Sequence, residues 1–162
     1  MKTTILCVGK IKESYLKEAV CEYAKRLSLY TKLEIIEVPD EKTAEKMSAV
    51  EIAAVKNKEA VQLEKYLHNN QAQAYKIALA IEGKQFSSEA LASFFEHTKT
   101  AGKSSFIFVI GGSLGLADCV LKQCDLLLSF SKMTFPHQLM RVLVLEQLYR
   151  CFRISSGEPY HK

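Results

Sequence analysis

The sequence contains no segment that marks a secreted or membrane-bound protein. No apolar stretch approaches the roughly 20 residues that a transmembrane helix needs. The first apolar run, in MKTTILCVGK, is too short for a signal peptide, and Gly9 and Lys10 follow it at once. We therefore expect no membrane partner and a cytoplasmic protein.

Cysteine is present, but without the spacing of a metal site or a disulfide framework. The chain has 5 cysteines, an odd number, and no C-x-x-C. Cys119 and Cys124 lie close in sequence, with no cluster of histidines or further cysteines beside them. We interpret all of the cysteines as free thiols that pack as small apolar groups in a reducing compartment, and we expect no metal.

The two common nucleotide-binding motifs are also missing. In VIGGSLGL (109–116) the pattern G-x-G-x-x-G fails, because positions 113 and 114 hold Ser and Leu. The P-loop pattern G-x-x-x-x-G-K-[ST] is absent as well. The glycines can still let backbone amides approach a ligand closely, or they can simply form a tight turn from a strand to a helix.

Neither sign of charge dominates the composition. The 22 basic and 18 acidic residues leave a net charge of +4, which permits an RNA partner without demanding one. With 162 residues, 48% of them hydrophobic, the chain can bury a sizeable core, and we expect one domain, 1–162.

Short apolar runs alternate with amphipathic segments along the whole chain. This alternation predicts an α/β fold, with a mostly parallel sheet and helices on both faces. The predicted strands are 3–9, 32–40, 75–83, 104–112 and 125–131. The predicted helices are 12–28, 43–67, 87–102, 116–124 and 136–156, the last with Pro136 in its first turn.

Two predicted strands run into loops rich in turn-forming and polar residues. One loop follows the strand 104–112, and the other lies within SFSKMTFPHQLMR (129–141). Because ligands of open α/β sheets bind at the carboxyl ends of the strands, we expect one pocket built from both loops. The alternative is that each loop is only a connection.

The helix 136–156 carries apolar residues nearly all round its circumference. This predicts packing on two sides, one against the core and one against a second subunit; the alternative is the central helix of a monomer. Glu146 and Arg150 are spaced to meet on one helix face. Between 136 and 162, Arg141, Arg150, Arg153 and Lys162 are the basic residues, and arginine binds phosphate bidentately.

Three stretches together resemble one family: FVIGGSLGL, LSFSKMTFPHQLMRVLVLEQLYR and GEPYHK. They are similar to the bacterial ribosomal RNA large-subunit methyltransferase H family, of the SPOUT class, and the resemblance extends over essentially the full length. It implies a C-terminal trefoil knot, S-adenosylmethionine as cofactor and a homodimer. It also implies methylation of N3 of a pseudouridine in 23S rRNA of the assembled ribosome, with no DNA partner.

The resemblance also implies which residues line the cofactor pocket. They are Leu79, Gly111, Gly112, Phe130, Ser131, Lys132, Met133, Thr134 and Phe135. An adenine ring needs an apolar slot with backbone donors and acceptors, and loops of this composition can supply both.

The reaction that the resemblance implies suggests roles for residues of the last helix and the tail. Arg150 would stabilise the negative charge that develops when N3 loses its proton, or bind phosphate, and Glu146 would orient it. His137 and His161 are candidate proton acceptors, because histidine titrates near neutral pH. Tyr160 would stack on the target base. The residues expected to bind RNA are Arg150, Arg153 and Lys162.

The main alternative is a non-catalytic factor that binds RNA or the ribosome. The intact Gly111-Gly112 pair and the complete Tyr160-His161-Lys162 tail argue against it. A nucleotide-dependent α/β enzyme of another kind is disfavoured by the missing Rossmann and P-loop patterns.

Overall fold

Five strands form a single parallel sheet in the computed structural model, which describes residues 1–69 and 74–160. The strands are β1 (Lys2–Val8), β2 (Lys32–Val38), β3 (Ala74–Gln85), β4 (Ser105–Ile110) and β5 (Leu126–Ser129). The helices are α1 (Ser14–Leu27), α2 (Ala49–Asn69), α3 (Ser88–Thr100), α4 (Asp118–Leu121) and α5 (His137–Ser155). The strand order is β2-β1-β4-β3-β5, and every neighbouring pair is parallel, which confirms the predicted α/β class.

Apolar side chains of the central strands cover both faces of the sheet, as expected for a parallel sheet buried on both sides. On one face, Phe106 and Phe108 of β4 pack with residues of α1, α3 and α5. On the other face, Ile107 and Val109 of the same strand pack with residues of α2 and α4. The predicted placement of helices on both faces is therefore confirmed.

The carboxyl ends of β3 and β5 shift their register. Leu79 pairs with Leu128, but the next paired residue of β3, Lys84, pairs with Leu128 again, so residues 80–83 form a bulge in the pairing. A Cβ atom on Gly83 would lie 2.7 Å from the carbonyl carbon of Leu127, closer than real contacts allow. Only glycine lets the two backbones approach this closely, and the approach fixes the end of β5.

Helix α2 begins at Ala49, so the predicted helical start at residue 43 was wrong. Ser48 caps the helix: its hydroxyl accepts from the N–H of Glu51 at 3.3 Å, and its own N–H donates to the Glu51 carboxylate at 2.7 Å. This reciprocal capping box was visible in the sequence as S-x-x-E. Similarly, Pro136 is the residue before α5 rather than part of its first turn.

The five cysteines are free thiols, as predicted, but Cys21 and Cys119 are exposed rather than packed. No helix in the described residues is both long and apolar enough to cross a bilayer. The trefoil knot stays a prediction from the resemblance.

Candidate active site

The loops predicted to form the pocket lie at one edge of the sheet. β4, β3 and β5 are neighbours and run in the same direction, so their carboxyl ends meet. Gly111 follows β4, Leu79 precedes the bulge of β3, and Phe130 follows β5. The structure therefore brings together the three segments that the resemblance assigned to the cofactor.

The glycine loop after β4 is a closed turn. The N–H of Gly115 donates to the carbonyl of Gly112 at 3.1 Å. A Cβ atom on Gly111 would lie 2.7 Å from the carbonyl carbon of Gly115 and 3.0 Å from the N of Leu116. Gly115 itself is exposed and has a φ of +80°, and no atom lies within 4 Å of the position that a Cβ atom would take. Gly111 is thus required for the closure of the turn, and Gly115 presents bare backbone on its outer side.

The loop after β5 is shaped by two serines. The Ser129 hydroxyl donates to the carbonyl of Ser131 at 3.1 Å, and the Ser131 hydroxyl accepts from the N–H of Met133 at 3.0 Å. The family resemblance implies Ser131 only as a pocket residue and assigns no role to Ser129. An alternation of Ser with apolar residues after a strand is the only sequence signal for such a turn, and it is weak.

These loops fit the S-adenosylmethionine that the resemblance implies. Phe130 and Phe135 are half-buried, while Lys132, Met133 and Thr134 between them are exposed. Across the described parts of the chain, the backbone N–H groups of Lys132, Thr134 and Phe135 have no hydrogen-bond partner. Half-buried rings beside unpaired backbone donors are what an adenine-bearing cofactor needs.

Arg141 is buried and fixes the start of α5. The sequence had placed it among the basic residues that could bind phosphate. Arg141 is 1% exposed. Its Nη1 donates to Glu37 Oε1 at 2.6 Å, and its Nη2 donates to the carbonyls of Val8 at 2.9 Å and Gly9 at 2.6 Å. It therefore fastens α5, directly after the loop 130–136, to the carboxyl end of β1. No signal in the sequence separates it from the other arginines.

His137 is the first residue of α5 and is half-buried beside the same loop. Burial lowers the pKa of its imidazole, the Arg141 guanidinium lowers it further, and Asp40 acts in the opposite direction. The ring is thus neutral near pH 7, and a neutral imidazole can accept a proton.

The second half of α5 carries a separate polar group. Arg150 donates to Glu146 Oε1 from Nε at 3.0 Å and from Nη2 at 2.6 Å, and this hydrogen bonding raises the pKa of Arg150. The Tyr160 hydroxyl donates to the same oxygen at 3.4 Å. The Arg150 guanidinium lies 4.8 Å from the centre of the Tyr160 ring. Glu146 thus holds Arg150 and Tyr160 in one assembly.

Arg153 is engaged within the chain. Its Nη1 lies 2.7 Å from Glu158 Oε2, and the Tyr30 hydroxyl donates to the same carboxylate oxygen at 3.0 Å. A phosphate would have to compete with Glu158 for this guanidinium. The predicted residues His161 and Lys162 lie outside the described residues.

The two groups of predicted site residues lie apart within one chain. Arg150 follows His137 by thirteen residues on the same helix, a separation of about 20 Å at 1.5 Å per residue. The chain therefore places His137 directly after the loop 130–136 but leaves Arg150 towards the other end of α5.

Comparisons with known proteins agree with this geometry. Residues 1–161 match the family model described as "Predicted SPOUT methyltransferase". The chain is 55% identical to the "Ribosomal RNA large subunit methyltransferase H" of Clostridium acetobutylicum and 54% identical to that of Bacillus thuringiensis. Each match covers 100% of this chain and 100% of the relative.

Among solved structures, a Legionella pneumophila methyltransferase in complex with the cofactor SAM superposes with a TM-score of 0.50. It is 13% identical, and the match covers 91% of this chain and 65% of that one, so it supports the fold alone. The family model and the two curated relatives carry the assignment: the chain belongs to the SPOUT methyltransferase family.

Proposed function

We propose that this methyltransferase transfers a methyl group from S-adenosylmethionine to N3 of a pseudouridine in 23S rRNA of the assembled ribosome, in the cytoplasm. The observation that carries the proposal is the identity of 55% over the whole chain with a relative named for rRNA methylation. The open cofactor loops at the sheet edge are consistent with it. S-adenosylmethionine supplies the methyl group as an electrophile when it is bound.

The chain's own residues have two tasks in this reaction. N3 must lose its proton before it can attack, and the neutral imidazole of His137 lies beside the cofactor loop, where it can accept that proton. The pseudouridine base, having lost its N3 proton, then carries a negative charge, which the Arg150 guanidinium stabilises. Alignment of the methyl donor and the nitrogen by the loops supplies a further large part of the rate.

His137 and Arg150 lie about 20 Å apart along α5 of one subunit. This separation points to a homodimer in which each site is completed by the other subunit. α5 has an apolar surface available for such a partner. Leu139, Val142 and Leu143 are only half-buried, and they belong to neither of the two core clusters of the described chain. A second α5 packed against them would bring the partner's Arg150 and tail towards the cofactor loop.

The tail and Arg153 would contact the RNA at this shared site. The Tyr160 ring already carries a cation on one face, and aromatic rings of this kind stack on unstacked RNA bases. Arg153, His161 and Lys162 would approach the base edge or the phosphates, with Arg153 exchanging Glu158 for phosphate.

The catalytic role is tested with Arg150→Ala, assayed on ribosomes, with calorimetry of S-adenosylmethionine binding alongside. We expect methylation to be lost and cofactor binding to be kept. Methylation near the wild-type rate would remove the role of Arg150, and no cofactor binding by the wild type even with ribosomes would favour the non-catalytic factor.

The shared site is tested by mixing Arg150→Ala with Gly111→Ala, at an S-adenosylmethionine concentration too low to occupy the weakened site of Gly111→Ala. A mixed dimer would hold one intact cofactor loop opposite one intact Arg150, so activity should return on mixing. If each site were built within one subunit, no mixed dimer would contain a complete site, and the mixture would stay inactive.

A further inference from the structure

A hydrogen-bonded chain connects the start of α3 with Glu146, the residue that holds Arg150. The Ser88 hydroxyl lies 2.8 Å from Gln147 Oε1, and Gln147 Nε2 lies 2.6 Å from Glu146 Oε2. Glu146 uses its other oxygen, Oε1, to accept both Arg150 bonds. Each oxygen of the carboxylate therefore has a different task.

The chemistry of the groups determines which of them donates and which accepts in these hydrogen bonds. A carboxylate only accepts hydrogen bonds, so the Gln147 amide must turn its NH₂ towards Glu146. Its carbonyl then faces Ser88, whose hydroxyl must donate. The Glu146 end thus sets the orientation of the amide, because a flipped amide would turn its carbonyl oxygen towards the carboxylate.

The position of Ser88 means that these hydrogen bonds connect the segment after β3 with α5. Ser88 is the first residue of α3, and only two residues separate it from β3, which carries Leu79 and the bulge. Gln147 ties that segment to α5, and it holds the Glu146 carboxylate in the rotamer that presents Oε1 to Arg150. Without Gln147, Oε2 would have to find another donor, and the carboxylate could rotate away.

We propose that Gln147, supported by Ser88, is a positioning residue that fixes the Glu146 carboxylate and through it the Arg150 guanidinium. The proposal rests on the role of Arg150 in the proposed function. It assigns to Gln147 an effect on the turnover rate, while cofactor binding at the distant loop stays as it is.

The decisive variant is Gln147→Glu, which keeps the shape and replaces the donor by an acid. When the introduced acid is protonated, it can still donate to the Glu146 carboxylate, and the hydrogen bond is retained. When it is ionised, the two carboxylates repel, and Glu146 turns away from its position. The neighbouring carboxylate raises the pKa of the introduced acid above the usual ~4.3, so the rate of the variant relative to the wild type should fall about tenfold or more between pH 5 and pH 8, a change of ~1.4 kcal/mol in the barrier.

A matched control is Gln62→Glu, the same substitution on α2, where Gln62 accepts a hydrogen bond from Lys65. Its rate relative to the wild type should not change with pH. Ser88→Ala should lower the rate modestly at every pH, because it removes the support of the amide without adding charge. The affinity for S-adenosylmethionine should match the wild type in all three variants.

A readout that needs no ribosome separates this inference from the proposed function. The Nε–H signal of Arg150 in ¹H–¹⁵N spectra, assigned by its loss in Arg150→Lys, should shift with pH in Gln147→Glu and stay constant in the wild type. Such a shift with no methylation by the wild type would leave the inference standing and refute the function. A pH-independent signal, or a pH-independent rate ratio in an active enzyme, would overturn the inference.

Discussion

Substitution of Gly111 by alanine tests most sharply whether the cofactor pocket lies at the glycine loop after β4. The new Cβ atom would lie 2.7 Å from the carbonyl carbon of Gly115, whereas two carbon atoms prefer roughly 3.5–4.0 Å. The obstacle is backbone, which cannot rotate away, so the turn must open by roughly 1 Å. Overpacking of this kind costs about 1–3 kcal/mol, and the bond from Gly115 to Gly112 adds about 0.5–1.5 kcal/mol if it breaks. We expect a loss of about 2–4 kcal/mol in unfolding free energy.

The assay pairs urea unfolding with calorimetry of S-adenosylmethionine binding. An opened turn also displaces the backbone that borders the pocket, so the affinity of Gly111→Ala for the cofactor should fall at least about tenfold, or ~1.4 kcal/mol. Gly102→Ala is the matched control, because Gly102 has a φ of +90° and no atom within 4 Å of a Cβ. It should lose about 1 kcal/mol of stability from backbone strain and bind the cofactor normally.

Unchanged cofactor affinity in Gly111→Ala would refute the placement of the pocket at this loop. Equal losses of affinity in both glycine variants would show that lowered stability, and not local geometry, controls binding.

Three further predictions concern the anchor of α5, a buried acid and the tail. Arg141→Met should lower the unfolding free energy by about 3 kcal/mol in urea titration, since two buried carbonyls lose their donor at roughly 1–3 kcal/mol each; a loss below about 1 kcal/mol would contradict the anchoring role. Burial raises the pKa of the Glu59 carboxyl group above its usual 4.5. The protonated carboxyl group therefore contributes fully to the stability of the fold below pH 4.5, and this contribution is lost as the pH rises through the pKa of the folded protein. Glu59→Gln should therefore gain stability relative to the wild type as pH rises from 4 to 7, and a constant difference would refute this. Deletion of residues 160–162 should spare folding and cofactor binding and abolish methylation, and full activity of the truncated protein would remove the proposed role of the tail.

The periodicity of the sequence was sufficient to predict the α/β class, the parallel sheet and the order of the elements. These features depend on local alternation of apolar and polar residues, which a single sequence displays. The start of α2 was missed although its signal, Ser48 followed by Glu51, was present, because the helix-forming composition of residues 43–48 obscured it.

The candidate site was only partly predictable. The pocket loops followed from the rule that ligands bind at the carboxyl ends of strands and from the family resemblance. The burial of Arg141 against β1 and the bulge of β3 beside Gly83 depend on contacts between residues far apart in sequence, which no local pattern records. The separation of His137 and Arg150 along one helix, in contrast, already follows from the predicted helix 136–156.

The central claim is methylation of 23S rRNA on the ribosome. The direct measurement is mass spectrometry of 23S rRNA from ribosomes of cells lacking the gene, before and after incubation with the purified protein and S-adenosylmethionine. We expect one new N3-methylated pseudouridine, formed by the wild type and absent with Arg150→Ala. An unchanged methylation pattern with the wild type, or a methyl group on a different nucleotide, would contradict it.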